Sequence, residues 1–364
     1  EDVHSQVEFM LTERLGAIGM KIHSGRSRND QVLLDIKLFL RNELKDLSQL
    51  VAVFIESLLE LSEKHKEVII PGYTHMQAAM PSSFGLWFGA YAETLVDDLK
   101  FLKAAFDIVN QNPLGSAAGY GNSFPLDREL TTELLGFEDL HINSVAAQMS
   151  RGKTEVGVAF AVSALSSTLS KMAMDVCLYN SQNFEFLSFP ESITTGSSIM
   201  PHKKNPDVFE LIRARCNHLQ TLPQQLQAIT TNLPSGYHRD FQLTKELLLP
   251  ALNQAADCFH IMKSTIQQME VNREAIDDTR YDLIYSVEKV NQEVLAGKSF
   301  RDAYRQIAKS IADDDFKPQK DIKHTHMGSI GNLGTEKILS KLHETLESLN
   351  FDNFQMKLQQ LIET

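Results

Sequence analysis

Residues 196 to 207 read Gly-Ser-Ser-Ile-Met-Pro-His-Lys-Lys-Asn-Pro-Asp. Pro201 and Pro206 keep this stretch from continuing as plain helix, and its glycine-serine start can fold over a ligand. Lys203 and Asn205 lie two apart, so in an extended stretch their side chains point the same way. An ammonium and an amide on one side suit a carboxylate and leave Ser197 for proton transfer. Three more polar clusters stand beside apolar, periodic sequence. His-Ser-Gly-Arg-Ser-Arg-Asn-Asp-Gln, from His23 to Gln31, precedes the longest periodic stretch. Ser27, Asn29 or Asp30 could cap that helix, whose free N–H groups favour an anion. Capping accounts for one of these residues and leaves the rest of the polar run, Arg28 included, for other work. Gly72 to Gln77 carries Thr74 and His75, the latter a loop histidine able to act as acid or base near neutral pH. Glu210, five residues beyond Asn205, could orient a histidine and raise its basicity. Gly236 to Lys245 offers Tyr237, Gln242 and Lys245 as one wall of a pocket. Serine, histidine, lysine and amides together suit removal of a proton next to a carboxylate. The donors would stabilise the carbanionic intermediate and a second group would protonate the leaving group.

Composition narrows the alternatives. The 364 residues are 43% hydrophobic and 23% charged, enough for one large or a few modest globular domains. A net charge of -12 argues against nucleic acid as a main partner, while local basic clusters can still hold a small anion. Cys177, Cys216 and Cys258 are widely spaced, which is neither a disulfide framework nor a metal motif and fits a reducing, cytoplasmic setting. No uninterrupted apolar run is long enough to span a bilayer. A phosphate-binding glycine loop, a Rossmann fingerprint, zinc spacing and a Gly-x-Ser-x-Gly elbow are all missing. The first residues do not resemble a signal peptide. They lack an initiator methionine and read as the inside of a helix, so a further N-terminal portion is expected.

Helices must position the clusters. Apolar residues recur at helical spacing from Val32 to Leu61, and further helices are predicted over 82–109, 153–183, 208–230 and 245–269. The third of these is almost wholly apolar or small, as expected of a helix buried on most sides. Strand evidence is confined to Glu67 to Ile70. Shorter amphipathic helices follow Thr279, over 281–295, 300–312 and 335–349, separated by Gly297-Lys298, by an aspartate triplet and by a glycine-rich segment from Gly328 to Gly334. The pattern predicts an all-α protein: a long-helix bundle with a small C-terminal helical domain, completed by oligomerisation. The expected division is 1–27 as the remainder of an N-terminal domain, 28–279 as the bundle and 280–364 as the C-terminal domain.

The glycine-serine-serine loop resembles the signature of the fumarase/aspartase superfamily. The run His23 to Gln31, Met200 to Asp207 with its double lysine, Tyr237 to Lys245, and Phe300 to Tyr304 resemble the argininosuccinate lyase family more specifically, and the likeness extends along essentially the whole chain. That resemblance implies a carbon–nitrogen lyase of arginine biosynthesis, reversibly eliminating arginine from argininosuccinate to leave fumarate, with no metal or organic cofactor. It implies a homotetramer whose active sites each draw on three subunits. It makes Ser197 the base, helped by Lys203, and His75 the acid, oriented by Glu210. Lys203 and Asn205 would hold the carboxylate that gains charge. Arg28, Asn29 and Thr74 would bind the succinyl end, and Tyr237, Gln242 and Lys245 the arginine end, with Ser27 and Gln77 as lesser contacts.

Two positions depart from the family pattern. Where Ser-Asp-Arg-Asp is usual, the chain reads Met149-Ser150-Arg151-Gly152-Lys153, which keeps the arginine, loses both acids and gains a lysine, and Thr244 stands where an aspartate is common. Lost acids and a gained base would fit a substrate with an uncharged amine, such as an N-succinyl or N-acetyl argininosuccinate, with Arg151 or Lys153 setting specificity. A sister lyase on another fumarate adduct and a noncatalytic, crystallin-like structural relative are the remaining readings.

Overall fold

The computed structural model describes residues 3–322 and 324–363. A first helix, α1 (Val3–Leu15), leads through a short 3-10 turn into α2 (Arg28–Lys64), whose 37 residues extend about 55 Å. Ser27 caps α2: its Oγ accepts from the Asn29 backbone N–H at 3.2 Å, while Asp30 Oδ1 accepts from the Ser27 N–H at 2.8 Å. This reciprocal pair is a capping box. A hairpin follows, β1 (Ile69–Thr74) antiparallel to β2 (Gln77–Ser83), and runs directly into α3 (Phe84–Val109). The sequence predicts only a fragment of this hairpin, because Pro71, Gly72 and Pro81 interrupt the alternation that marks strands.

After α4 (Arg128–Leu134) comes α5 (Ser144–Asn180), which breaks at Arg151 and Gly152. The predicted start at Lys153 coincides with this break. The expected single helix over 208–230 is two, α6 (Asp207–Leu219) and α7 (Leu222–Thr230), since Pro223 lacks the N–H needed to continue the first ladder and fits the opening of the second. Then come α8 (Leu243–Ile266), the single turn α9 (Arg273–Ile276), α10 (Ser286–Leu295), α11 (Phe300–Ala312), α12 (Thr335–Glu347) and α13 (Phe351–Glu363).

The core lies where α2, α3, α5 and α8 meet. Leu40, Leu44, Val51, Phe54 and Leu58 fall at helical spacing on one face of α2 and are fully buried. They pack with Phe88, Leu99 and Leu102 of α3, Val158, Val162 and Leu165 of α5, and Phe259 and Met262 of α8. Phe54 and Phe259 meet edge to face at 5.7 Å. Truncating such a leucine to alanine costs about 2–5 kcal/mol. By length and composition α5 would pass for a membrane span, but 61% of its apolar window is buried inside the fold, as in a core helix. Helices α10 and α11 share a small separate cluster around Val290, Ala303 and Ile307, whereas Ile338 and Leu342 of α12 and Phe354 of α13 join the main core.

Candidate active site

The N-terminus of α2 and the turn before α8 open onto one cleft of about 420 Å³. Arg28, Asn29, Arg151, Tyr237, Gln242 and Lys245 line it, together with His4, Val32 and Arg239. Two clusters more than 200 positions apart in sequence therefore form one surface. Each wall is fixed locally. Asp30 is fully buried, and its second carboxylate oxygen accepts from the backbone N–H groups of Gly115 and Ala117 at 3.0 and 2.9 Å. That cradle holds the start of α2, so Arg28 and Asn29 face outward while Arg28 Nη2 donates to Ser5 of α1 at 2.7 Å. On the opposite wall Gln242 Nε2 donates to Tyr237 Oη at 2.6 Å, which aligns two side chains before any ligand arrives. Among the described residues the lining includes Arg28, Arg151, Arg239 and Lys245 and no carboxylate, so the cleft is suited to an anion.

Arg151 closes the floor. Its backbone at φ −63° and ψ 134° and Gly152 at φ 82° interrupt α5. The buried carboxylate of Glu155 spans the break, accepting from the Gly152 N–H at 2.7 Å and from Arg151 Nε at 3.0 Å. Thr244 Oγ1 lies 3.3 Å from the same carboxylate and donates to the Phe241 carbonyl at 2.8 Å. Sequence reading passed over Glu155; the available signal was its i,i+4 spacing from Arg151. Lys153 points to solvent and is outside the cleft lining.

Ser197 sits on the loop between Glu191 and α6. The base of the loop is clamped by paired backbone bonds between Thr195 and Asn205, at 3.1 and 2.8 Å, and by the Lys204–Glu191 ion pair at 3.2 Å. Ser197 Oγ accepts from the backbone N–H groups of Met200 and Ile199 at 3.2 and 3.4 Å. Donors aimed at that oxygen favour its ionised form. Asn205 is half-buried with its amide 3.5 Å from Thr195 Oγ1, whereas Lys203 is exposed. Glu210 is exposed in the first turn of α6.

Thr74 and His75 occupy the hairpin tip rather than a loop leading into a helix. His75 and Met76 form the two-residue turn, both left-handed at φ 52° and 59°. Two non-glycine residues there carry strain of about 1 kcal/mol or more each, held by the flanking ladder and, at the strand, by Tyr73 packed edge-on against Phe184 at 5.4 Å. Thr74, His75 and Gln77 are exposed. The cleft, the Ser197 loop and the hairpin tip remain three separate groups. Among the described residues no hydrogen bond or ion pair joins His75 to Glu210, or either to the cleft.

Long packed helices carry these three groups on the segments that join them, and the class to which this arrangement belongs is that of the helical-bundle lyases. A family model described as a lyase matches residues 1–220. The chain is 57% identical over 362 residues to the argininosuccinate lyase of Parabacteroides distasonis, covering all of this chain and 81% of that protein. It is 56% identical to the argininosuccinate lyase of Bacteroides fragilis, covering 98% of this chain and 79% of that protein. The chain belongs to the argininosuccinate lyase family. In fold it is also similar to an EDDS lyase solved in complex with formate, at a TM-score of 0.81 and 20% identity over 97% of this chain and 78% of the other.

Proposed function

We propose that this protein splits argininosuccinate into fumarate and arginine in the cytoplasm, as a homotetramer whose sites are each built from three chains. The observation that carries the substrate assignment is the convergence of Arg28 and Asn29 with Tyr237, Gln242 and Lys245 on one basic cleft. The chemistry follows from the side chains. Ser197, with its oxygen already facing two backbone N–H groups, removes the proton from the succinyl carbon next to the carboxylate. Lys203 and Asn205 balance the charge that builds on that carboxylate. Elimination then breaks the carbon–nitrogen bond, and His75 gives a proton to the departing guanidinium nitrogen. Glu210 orients His75, and Thr74 binds the succinyl end with Arg28 and Asn29. In this reading hairpin tip, serine loop and cleft come from different subunits, which fits their separation within one chain.

The acid-free cleft lining favours a second reading, in which the substrate amine is acylated and needs no carboxylate partner. Fumarate release from argininosuccinate and from its N-succinyl and N-acetyl derivatives, measured side by side on the purified protein, decides between them. Preference for the free amine supports the first reading and preference for an acylated amine the second. Silence on all three compounds overturns both and leaves a sister lyase on another fumarate adduct and the structural, crystallin-like alternative.

A further inference from the structure

We infer that Glu155 is the positioning residue of the cleft, acting through Arg151 and through the first turn of α8; the inference rests on the proposed lyase reaction. The break in α5 would leave the Gly152 N–H without its helical carbonyl, because Arg151 is extended. Glu155 replaces that carbonyl. With the non-helical Gly152 as the N-cap of the new helical segment, Glu155 stands three residues on and accepts from its N–H at 2.7 Å, the return half of a capping box. The same carboxylate holds Arg151 Nε at 3.0 Å, so one group both restarts the helix and aims the guanidinium.

The coupling reaches the opposite wall. Arg151 Nη2 donates to the Phe241 carbonyl at 3.3 Å, and Thr244 lies between that carbonyl and Glu155. Phe241 and Thr244 flank Gln242 and Leu243, Thr244 directly precedes Lys245, and both Gln242 and Lys245 line the cleft. Arg151, Glu155 and Thr244 are 4%, 1% and 0% exposed, so water offers their polar groups no substitute partner. A fixed buried network of this kind sets the distance between two walls that must grip one anion. It also accounts for the sequence at this site. An aspartate in place of Thr244 would set a second buried carboxylate against Glu155, and like charges so close are costly.

The test compares Glu155→Gln, Arg151→Met and the double variant with the unaltered protein, in fumarate release from argininosuccinate and in calorimetric binding of L-arginine. Glu155→Gln is expected to raise KM about tenfold, as befits one charge-assisted bond, with kcat within about threefold. The double variant should be no worse than the poorer single one, since Glu155 works through Arg151. Equal losses in kcat and KM, or additive losses in the double variant, overturn the assignment. If Glu155→Gln does not assemble, Thr244→Val decides: it keeps the carboxylate but unlatches α8. A KM raised about threefold at constant kcat supports the assignment and an unchanged KM overturns it. Absence of fumarate release by the unaltered protein sinks the reaction, not the positioning. Arginine binding then decides, with a tenfold weakening in Glu155→Gln supporting the inference and unchanged or absent binding overturning it.

Discussion

At the scale of single residues, Ser197 illustrates how much a sequence can show. Its neighbours mark it as the group left for proton transfer, but only the structure shows Met200 and Ile199 N–H groups turned toward its oxygen. Ser197→Ala should lower kcat for fumarate release by about 10²–10⁴, the range of a general base, while arginine binding by calorimetry is preserved. Near-normal turnover would rule the base assignment out. Glu155 lay outside the sequence reading because its value comes from a backbone break, and no side-chain pattern announces Arg151 as extended. A half-buried histidine supplies a prediction in stability. Burial, then the charges of Lys37 and Arg128, push His141 from its ordinary 6.5 down to about 4. Lys37 Nζ, which lies 3.1 Å from the Ile108 carbonyl, lies 3.2 Å from His141 Nε2. Between those two values the unfolded chain binds the proton more readily than the folded one. The stabilisation is therefore complete above pH 6.5 and is lost as pH falls toward 4. His141→Gln, which keeps an acceptor for Lys37, should flatten the fall in unfolding free energy over that window, read from urea denaturation at a series of pH values. An acid limb of unchanged steepness would assign the loss to other groups.

At the scale of elements, the long helices were legible either as one apolar face at helical spacing, as in α2, or as a long run of small and apolar residues, as in α5, and the amphipathic helices after Thr279 emerged for the first reason. The hairpin was not. Its strands are short and broken by Pro71, Gly72 and Pro81, and its turn uses His75 and Met76 where glycine or asparagine would have signalled a left-handed pair. The separation of α6 from α7 turns on one proline within a continuous apolar pattern. The break in α5 depends on Gly152, whose φ of 82° a side chain rarely adopts. A Cβ there would meet Thr230 Cγ2 at 2.6 Å and the Phe241 ring at 3.1 Å. Gly152→Ala should therefore cost about 2–4 kcal/mol in urea unfolding, combining backbone strain with overpacking, and should also raise KM by displacing Arg151. A variant as stable as the parent would show that the break tolerates a regular helix.

At the scale of the whole molecule, the three groups of site residues are separated within the chain and the bundle keeps large apolar side chains in solvent. Phe160 and Met174 on α5 are 51% and 45% exposed, Leu211 on α6 is 61% exposed, and Val53 on α2 is 44% exposed. Helices of this length with uncovered apolar stripes are suited to packing against copies of themselves, in keeping with the proposed tetramer. The sequence indicated such association through the near absence of charge in the helix after Lys153, but it could not show which cluster stays with which. The structure separates them: cleft, serine loop and hairpin tip. If each site takes its serine from one chain and its histidine from another, Ser197→Ala and His75→Asn are each inactive alone yet complement one another. Unfolding and refolding the two variants together at equal amounts distributes chains independently, and about a quarter of the sites then combine an intact serine with an intact histidine. Fumarate release should recover to about a quarter of the unmutated rate in mixed oligomers verified by mass spectrometry. Sites drawn from a single chain would show no recovery whatever the mixing ratio, because every chain carries one of the two lesions. Recovery that rises and falls with the product of the two chain fractions would show that serine and histidine are contributed independently by different subunits.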